Sequence, residues 1–254
     1  MTVASNPQFI ALVPAAGRGE RFGAVRPKQY LQLDGKPLLA HTIGALLKAQ
    51  WITAIHVVIA PDDNFPASDS ALIALSRANP ARIYWHRVGG PTRQASVAAG
   101  LAALASVDSS TWVMVHDAAR PGLRQRDLAA LRAAIDHGAP GALLAMPVAD
   151  TIKREVLKQA GQPDGIAVVE QTIDRRGLWQ AQTPQVFRVG ELRAALAASE
   201  SFTDESSAME RAGMQPVLVP GSWQNMKITT PQDWHLLAMA LAADGAASEK
   251  EDGF

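Results

Sequence analysis

The segment that carries the most chemical information is residues 13–28, which reads Val-Pro-Ala-Ala-Gly-Arg-Gly-Glu-Arg-Phe-Gly-Ala-Val-Arg-Pro-Lys. It begins at the end of Phe9–Val13, an apolar run typical of a buried parallel strand. Small residues let backbone N–H groups approach an anion closely, and the neighbouring cations would attract it. The small residues are Ala15, Ala16, Gly17 and Gly19, and the cations are Arg18, Arg21 and Lys28. A strand that runs into a glycine-rich basic loop indicates phosphate binding.

This loop differs from two familiar phosphate-binding patterns. It lacks the G-x-x-x-x-G-K-[ST] spacing of a P-loop. In the G-x-G-x-x-G pattern, Gly17 and Gly19 fit, but Phe22 occupies the place of the third small residue. An isolated Gly-x-Gly pair is usually a surface turn, whereas the three cations favour phosphate binding here.

Asp117 is the candidate metal ligand. It belongs to the run His116-Asp-Ala-Ala-Arg-Pro121, after a predicted strand. A carboxylate at the end of a strand, beside a phosphate loop, suits Mg²⁺. The ordinary alternative is a helix cap or a turn residue, and on this pattern alone the two interpretations are equally good. His116 is interpreted as a structural imidazole.

A second glycine-containing loop follows another predicted strand. Gly89-Gly90-Pro91-Thr92 precedes a predicted helix, and its glycines would allow a flat ligand to approach the backbone. Thr92 is expected to cap that helix. Ser96 lies in the first turns and could face the same ligand.

Short apolar strands and helices alternate along most of the chain. The predicted strands are Phe9–Val13, Ile55–Ala60, Ile83–Arg87, Trp112–His116 and Gly141–Pro147, and the predicted helices are Pro37–Ala49, Ala67–Ala78, Arg93–Ala105 and Gln125–His137. This pattern predicts an α/β, Rossmann-like fold, with a mostly parallel twisted sheet and helices on both faces. The polar loops all follow strands, so they are expected to meet in one crevice at the carboxyl edge of the sheet.

Residues 148–177 interrupt the alternation. Two short strands around Pro163-Asp-Gly165 predict a protruding β-hairpin arm. An isolated hairpin is only marginally stable, so a second subunit is the expected partner. Residues 1–243 are interpreted as a single domain, and 244–254 as a disordered tail.

The composition restricts the class of protein. Lys+Arg equals Asp+Glu, which argues against a general nucleic-acid binder. The chain has no cysteine, so thiolate catalysis, disulfides and zinc–thiolate sites are excluded and a cytoplasmic location is expected. Neither a signal peptide nor a membrane-spanning run is predicted.

The motifs, taken in order, resemble the 2-C-methyl-D-erythritol 4-phosphate cytidylyltransferase family over about residues 8–243. They are Pro14-Ala-Ala-Gly-x-Gly-x-Arg21, Pro27-Lys-Gln-Tyr-Leu31, residues 89–96, His116-Asp-Ala-Ala-Arg-Pro121, Asp150-Thr151, Asp174-Arg175-x-Gly-Leu-Trp179, Thr183-Pro-Gln185, Thr203-Asp-Glu205 and Lys227-Ile-Thr229. The resemblance implies an enzyme of nonmevalonate isoprenoid biosynthesis. In its reaction the phosphate of methylerythritol phosphate attacks the α-phosphorus of CTP in line and releases pyrophosphate.

The resemblance also implies residue roles. Arg21, Lys28, Arg175 and Lys227 are the implied catalytic cations, and Asp117 is the implied ligand of Mg²⁺ or another divalent cation. The implied nucleotide-binding residues are Ala15, Ala16, Gly17, Gly90, Arg93, Ser96 and Asp117. The implied acceptor-binding residues are Thr151, Arg175, Thr183 and Lys227. The arm is implied to cross a homodimer, so that Thr151 and Arg175 serve the neighbouring active site.

One position departs from the family. Many members have an acidic residue after the Gly-Gly pair, where this chain has Pro91. Proline has no backbone N–H, so any base contact made through that amide is absent.

Two other functions remain alternatives. Ribitol 5-phosphate cytidylyltransferase shares nearly the same CTP half, and the segments around Thr151 and Arg175 favour methylerythritol phosphate. A non-catalytic nucleotide-binding regulatory protein could share the fold. The presence of every implied charged residue argues against it.

Overall fold

The fold was analysed in a computed structural model, which describes residues 7–17, 27–156, 167–198, 202–230 and 232–239. The strands are β1 Phe9–Pro14, β2 Gln32–Leu33, β3 Lys36–Pro37, β4 Ile52–Val58, β5 Ile83–His86, β6 Trp112–Val115, β7 Ala142–Pro147, β8 Ile152–Glu155, β9 Val169–Ile173, β10 Trp179–Arg188 and β11 Val217–Pro220. The helices are α1 Leu38–Lys48, α2 Phe65–Ser68, α3 Ser70–Ala78, α4 Arg93–Ala103, α5 Gln125–Asp136, α6 Val189–Ala198, α7 Glu205–Arg211 and α8, residues 232–239. Short 3₁₀ turns cover Lys28–Tyr30 and Trp223–Asn225.

Seven of the described strands form one central sheet in the order β11-β7-β10-β6-β1-β4-β5. Every neighbouring pair is parallel except those of β10, which is antiparallel to both β6 and β7. The chain moves outward from β1 to β4 and β5, and then returns to place β6 on the other side of β1. Strand order therefore reverses at β1, which is where α/β sheets form ligand crevices.

Helices cover both faces of this sheet. Side chains such as Ile43, Leu72 and Leu131 from α1, α3 and α5 pack on one face. Val97 and Leu192, from α4 and α6, pack on the other. The predicted α/β class and the two helical layers are confirmed.

The interruption after β7 is a two-stranded sheet, as predicted. β8 pairs with β9 in antiparallel register, and its residues are mostly exposed. The predicted Pro163-Asp-Gly165 turn lies outside the described residues. We call the β8–β9 pair the arm. It leaves the central sheet between β7 and β10, where the Val148 N–H donates to the Leu178 carbonyl oxygen at 3.0 Å.

Strand β10 is the main element that the sequence pattern does not predict. Its middle is polar, yet Gln182, Thr183 and Gln185 are all buried. Pro184 also argues against a central strand, because proline cannot donate a ladder hydrogen bond. The register between β10 and β7 shifts between Ala181 and Gln185, which accommodates the proline. One of its buried side chains, Thr183, instead supports Asp117 in the site described next.

Candidate active site

One cavity of about 880 Å³ opens at the carboxyl edge of the sheet, at the predicted crevice. Its walls come from the loops after β1, β4, β5 and β6, and from the 227–229 segment. The predicted site residues that line it are Ala15, Ala16, Gly17, Lys28, Gly90, Arg93, Ser96, Asp117 and Lys227. Residues separated by more than two hundred positions therefore meet in one site.

Asp117 is the electrostatic centre of this cavity, and its side chain is 7% exposed. Its Oδ1 accepts from Arg93 Nε at 2.7 Å. Its Oδ2 lies 2.9 Å from Lys227 Nζ and 3.3 Å from Arg120 Nε. The side chain does not cap a helix, because α5 begins after Arg124. The helix-cap interpretation of Asp117 is therefore wrong, but Asp117 does begin a turn, in which the Arg120 N–H donates to its carbonyl oxygen at 3.1 Å.

The three cations keep this carboxyl ionised. Burial alone would raise the pKa of Asp117, but Arg93, Lys227 and Arg120 outweigh burial and hold the pKa well below its usual range. Asp117 is thus an ionised carboxylate enclosed by three cations at the wall of the cavity.

Two buried polar residues, Thr183 and His116, hold the backbone of Asp117 in place. The Asp117 N–H donates to Thr183 Oγ1 at 3.0 Å. The same hydroxyl lies 3.0 Å from His116 Nδ1, and His116 Nε2 lies 3.1 Å from the Arg120 carbonyl oxygen. His116 has no exposed surface, and burial lowers its pKa to about 4. The structural interpretation of His116 is confirmed, and the structure places the Thr183 hydroxyl behind Asp117.

The glycine-rich loop is held in place by Gln29, a residue of the Pro27–Leu31 motif that was not predicted to belong to the site. Gln29 Nε2 donates to the carbonyl oxygens of Ala15 and Gly17, at 2.7 and 3.0 Å. Gln29 itself is buried. The Ala15 N–H donates to Val58 O at 2.7 Å, so the loop is tied to β4 as well.

The second glycine loop packs directly on the first. A Cβ at Gly89 would overlap the Cβ of Ala16 and lie 2.8 Å from the Ile59 carbonyl oxygen. Only glycine fits there. Thr92 caps α4 by accepting from the Ala95 N–H at 3.0 Å, as predicted.

Ser96 joins this loop to α4. Its hydroxyl donates to the Thr92 carbonyl oxygen at 2.9 Å and lies 3.2 Å from the Gly90 nitrogen. Ser96 is 2% exposed, so it shapes the wall next to Gly90.

The opposite wall is the segment around Lys227. Lys28 Nζ donates to the Ile228 carbonyl oxygen at 3.3 Å, which brings two predicted cations to the same region. Asn225, which the site prediction missed, is fully buried and donates to Thr183 O at 2.7 Å. Arg120 Nη1 donates to Asn225 O at 2.8 Å. Nothing in the local sequence around Asn225 indicates this anchoring role.

Three of the predicted residues that the structure describes do not line the cavity: Thr151, Arg175 and Thr183. Thr151 and Arg175 lie at the base of the arm and are exposed. Arg21 lies outside the described residues.

The surroundings of Asp117 suit some kinds of metal site and not others. No group of three or more His, Cys, Asp or Glu side chains in the described ranges could hold a metal ion. Mg²⁺ in nucleotide enzymes often takes one or two carboxylates, with substrate phosphates and water completing its shell. A single ionised carboxylate at the wall of a cationic cavity fits that donor set, but it does not fit an all-protein metal cage.

In the described part of the chain, no helix is long and apolar enough to cross a membrane.

Comparison with known proteins identifies the family. Residues 9–243 match the model of the family described as IspD, 2-C-methyl-D-erythritol 4-phosphate cytidylyltransferase. The enzyme of that name from Chromobacterium violaceum is 50% identical, over 92% of this chain and 98% of that protein. The one from Dechloromonas aromatica is 46% identical, over 93% and 99%.

Solved structures agree with this assignment. A 4-diphosphocytidyl-2C-methyl-D-erythritol synthase superposes with a TM-score of 0.77 and 36% identity, covering 93% of this chain and all of that one. The Francisella tularensis 2-C-methyl-D-erythritol 4-phosphate cytidylyltransferase gives 0.72 and 31%, covering 90% and 97%. The chain therefore belongs to the 2-C-methyl-D-erythritol 4-phosphate cytidylyltransferase family, whose members are nucleotidyltransferases.

Proposed function

We propose that this chain transfers the cytidylyl group of CTP to 2-C-methyl-D-erythritol 4-phosphate at the cavity around Asp117, with Mg²⁺ or another divalent cation. The family membership gives the reaction and both substrates. The observation that supports the site is the meeting of the phosphate loop, Asp117, Lys28 and Lys227 in one cavity.

Binding of CTP follows from the shape and charge of the walls. The Ala15–Gly17 and Gly89–Gly90 backbones pack on each other and line the cavity, and their small residues would let the flat base approach. Lys28 and Lys227 line the same cavity and would meet the triphosphate. Arg21, close in sequence to the loop, is assigned to the same triphosphate.

The chemical step requires charge stabilisation and alignment. A phosphate oxygen of methylerythritol phosphate attacks the α-phosphorus, the new P–O bond forms opposite the bond to the β-phosphate, and pyrophosphate leaves with that electron pair. Lys28 and Arg21 stabilise the charge on the α-phosphoryl oxygens and the leaving group, and such preorganised donors lower the barrier. No covalent enzyme intermediate is needed.

Asp117 is the residue that would hold the divalent cation. When bound, that cation would neutralise phosphate charge and fix the orientation of the triphosphate. Thr183 acts behind Asp117, because its hydroxyl accepts from the Asp117 N–H. We therefore assign Thr183 to positioning the carboxylate.

The acceptor site is proposed to be shared between two subunits. Val168 and Val169 on the arm are 46% and 57% exposed, an apolar surface that a partner would cover. Arg175 and Thr151 at the base of the arm would reach the partner's cavity, where Lys227 would face them. A homodimer in the cytoplasm is consistent with the absence of cysteine.

The function is tested by measuring pyrophosphate release from CTP. The reaction is run with methylerythritol phosphate, with ribitol 5-phosphate and without an acceptor. Release only with methylerythritol phosphate is expected. Release with ribitol 5-phosphate would identify the sister activity, and CTP binding without any release would favour a regulatory protein.

Mixing two variants tests the shared site. In a heterodimer of Arg175→Ala and Lys227→Ala subunits, one site would carry both defects and the other neither. Activity per heterodimer is therefore expected to recover to about half of the unaltered enzyme, by the arithmetic of independent sites. Mixing that restores nothing, after subunit exchange is demonstrated, would place both residues in one chain's site.

A further inference from the structure

A second buried carboxylate, Glu205, lies behind the cavity. It is the first residue of α7 and has no exposed surface. Its Oε1 and Oε2 accept from Nη1 and Nη2 of Arg93, at 2.7 and 2.8 Å. Burial raises the pKa of Glu205, and the paired guanidinium of Arg93 opposes that rise by favouring the ionised carboxylate.

The start of α7 is fixed by its neighbours. Asp204 caps α7 by accepting from the Ser207 N–H at 3.0 Å. Gln185 on β10 donates to Asp204 Oδ2 at 2.8 Å and accepts from the Ser206 N–H at 2.7 Å. The start of α7, which carries Glu205, is therefore held by hydrogen bonds to β10, the strand that also carries Thr183.

These contacts decide what Arg93 can do. Arg93 lines the cavity, but all three of its guanidinium nitrogens have a carboxylate acceptor. Two face Glu205, and Nε faces Asp117 Oδ1. The positive charge of Arg93 is thus directed into the protein and compensated there. Without Glu205, the guanidinium would carry two uncompensated donors beside the triphosphate.

We propose that Glu205 is a positioning residue that holds Arg93 away from the nucleotide triphosphate and fixes it on Asp117 Oδ1. This inference rests on the proposed function of the cavity. Its physical reason is that an extra free cation would bind the triphosphate in the ground state and compete with the metal. Binding that is equal in ground and transition states does not raise turnover.

The proposal makes two predictions of opposite sign for Glu205→Gln. The freed Arg93 should tighten CTP binding without metal, measured by titration calorimetry in EDTA, by about tenfold, which corresponds to one charge-assisted contact. The turnover number with Mg²⁺ and methylerythritol phosphate should fall at least about tenfold, because Asp117 loses a fixed partner. Glu210→Gln is the matched control, since Glu210 is an exposed carboxylate on the same helix, and it should change neither value.

A double variant covers the case in which Glu205→Gln folds poorly. Arg93→Gln combined with Glu205→Gln removes both charges together and should show no gain in metal-free CTP binding over the unaltered chain. Two results would overturn the role of Glu205 without touching the proposed function. One is a loss of both CTP binding and turnover in Glu205→Gln. The other is a gain in metal-free CTP binding in the double variant as large as that in Glu205→Gln. Absence of CTP binding and pyrophosphate release in the unaltered chain would instead contradict the proposed function.

Discussion

Replacing Asp117 with asparagine should remove activity and also destabilise the fold. Asparagine keeps the shape of the side chain but leaves Arg93, Arg120 and Lys227 without their shared negative charge. The side chains of Arg93 and Arg120 are 25% and 11% exposed, so their ion pairs with Asp117 are mostly shielded from water. Lys227 is 35% exposed and would be screened by water, so it adds little.

The size of the effect follows from these pairings. Removing one partner of a buried ion pair costs about 3–5 kcal/mol. Because Arg93 keeps Glu205 and the cations are partly exposed, we expect about 3 kcal/mol, at the lower end. For a chain of this size that loss lowers the melting temperature by about 9 °C.

The assay is thermal unfolding followed by circular dichroism, without nucleotide, together with pyrophosphate release at increasing Mg²⁺. Asp136→Asn is the matched control. Asp136 forms a surface pair with Arg132 at 3.3 Å and is worth no more than about 0.5 kcal/mol. A melting temperature for Asp117→Asn within about 2 °C of the unaltered chain would refute the electrostatic reasoning. Retained Mg²⁺-dependent turnover would refute the assignment of Asp117 as the metal ligand.

Three further predictions follow from the geometry. Lys28→Ala should lower the turnover number about a hundredfold with a smaller change in CTP affinity, because its charge acts on the transition state, and a defect confined to affinity would contradict this. Gly89→Ala should destabilise the chain by about 1–3 kcal/mol in urea unfolding, because its Cβ would overlap Ala16, whereas Gly44→Ala has open space and should be neutral or stabilising. The free energy of unfolding should fall as the pH drops from about 6.5 to 4, because His116 is buried in its neutral form and its pKa is lowered to about 4. The loss caused by His116 should reach about 3 kcal/mol. A His116→Gln variant should lose that part of the pH dependence, and an unchanged slope would show that folding does not lower the pKa of His116.

The sequence predicts the bounds of those helices and strands whose apolar residues recur with the period of a helix or a strand. The helices α1, α4 and α5 and the strands β6 and β7 lie within one or two residues of their predicted bounds. The predicted helix Ala67–Ala78 is divided at Asp69, which ends α2 and caps α3 by accepting from the N–H groups of Ala71 and Leu72. A cap inside an apolar run is difficult to distinguish from an exposed polar residue on a continuous helix.

The long-range polar contacts could not be predicted in the same way. β10 is buried although it is polar, because Gln185 and Gln182 find partners on α7 and on the 222–225 segment. Those partners are distant in sequence, so no short stretch of residues around β10 indicates that its polar side chains are buried. Similarly, the motif identified Arg93 as a nucleotide-binding residue, but its direction depends on Glu205, more than a hundred positions away.

The most direct test of the central claim is to follow the α-phosphorus of CTP. The unaltered chain is incubated with CTP labelled at that phosphorus, Mg²⁺ and methylerythritol phosphate, and the products are separated and analysed by mass. The account predicts that the label moves into CDP-methylerythritol as pyrophosphate is released, with none bound to protein. Label that stays in CTP, or that becomes covalently attached to the protein, would contradict direct cytidylyl transfer at this cavity.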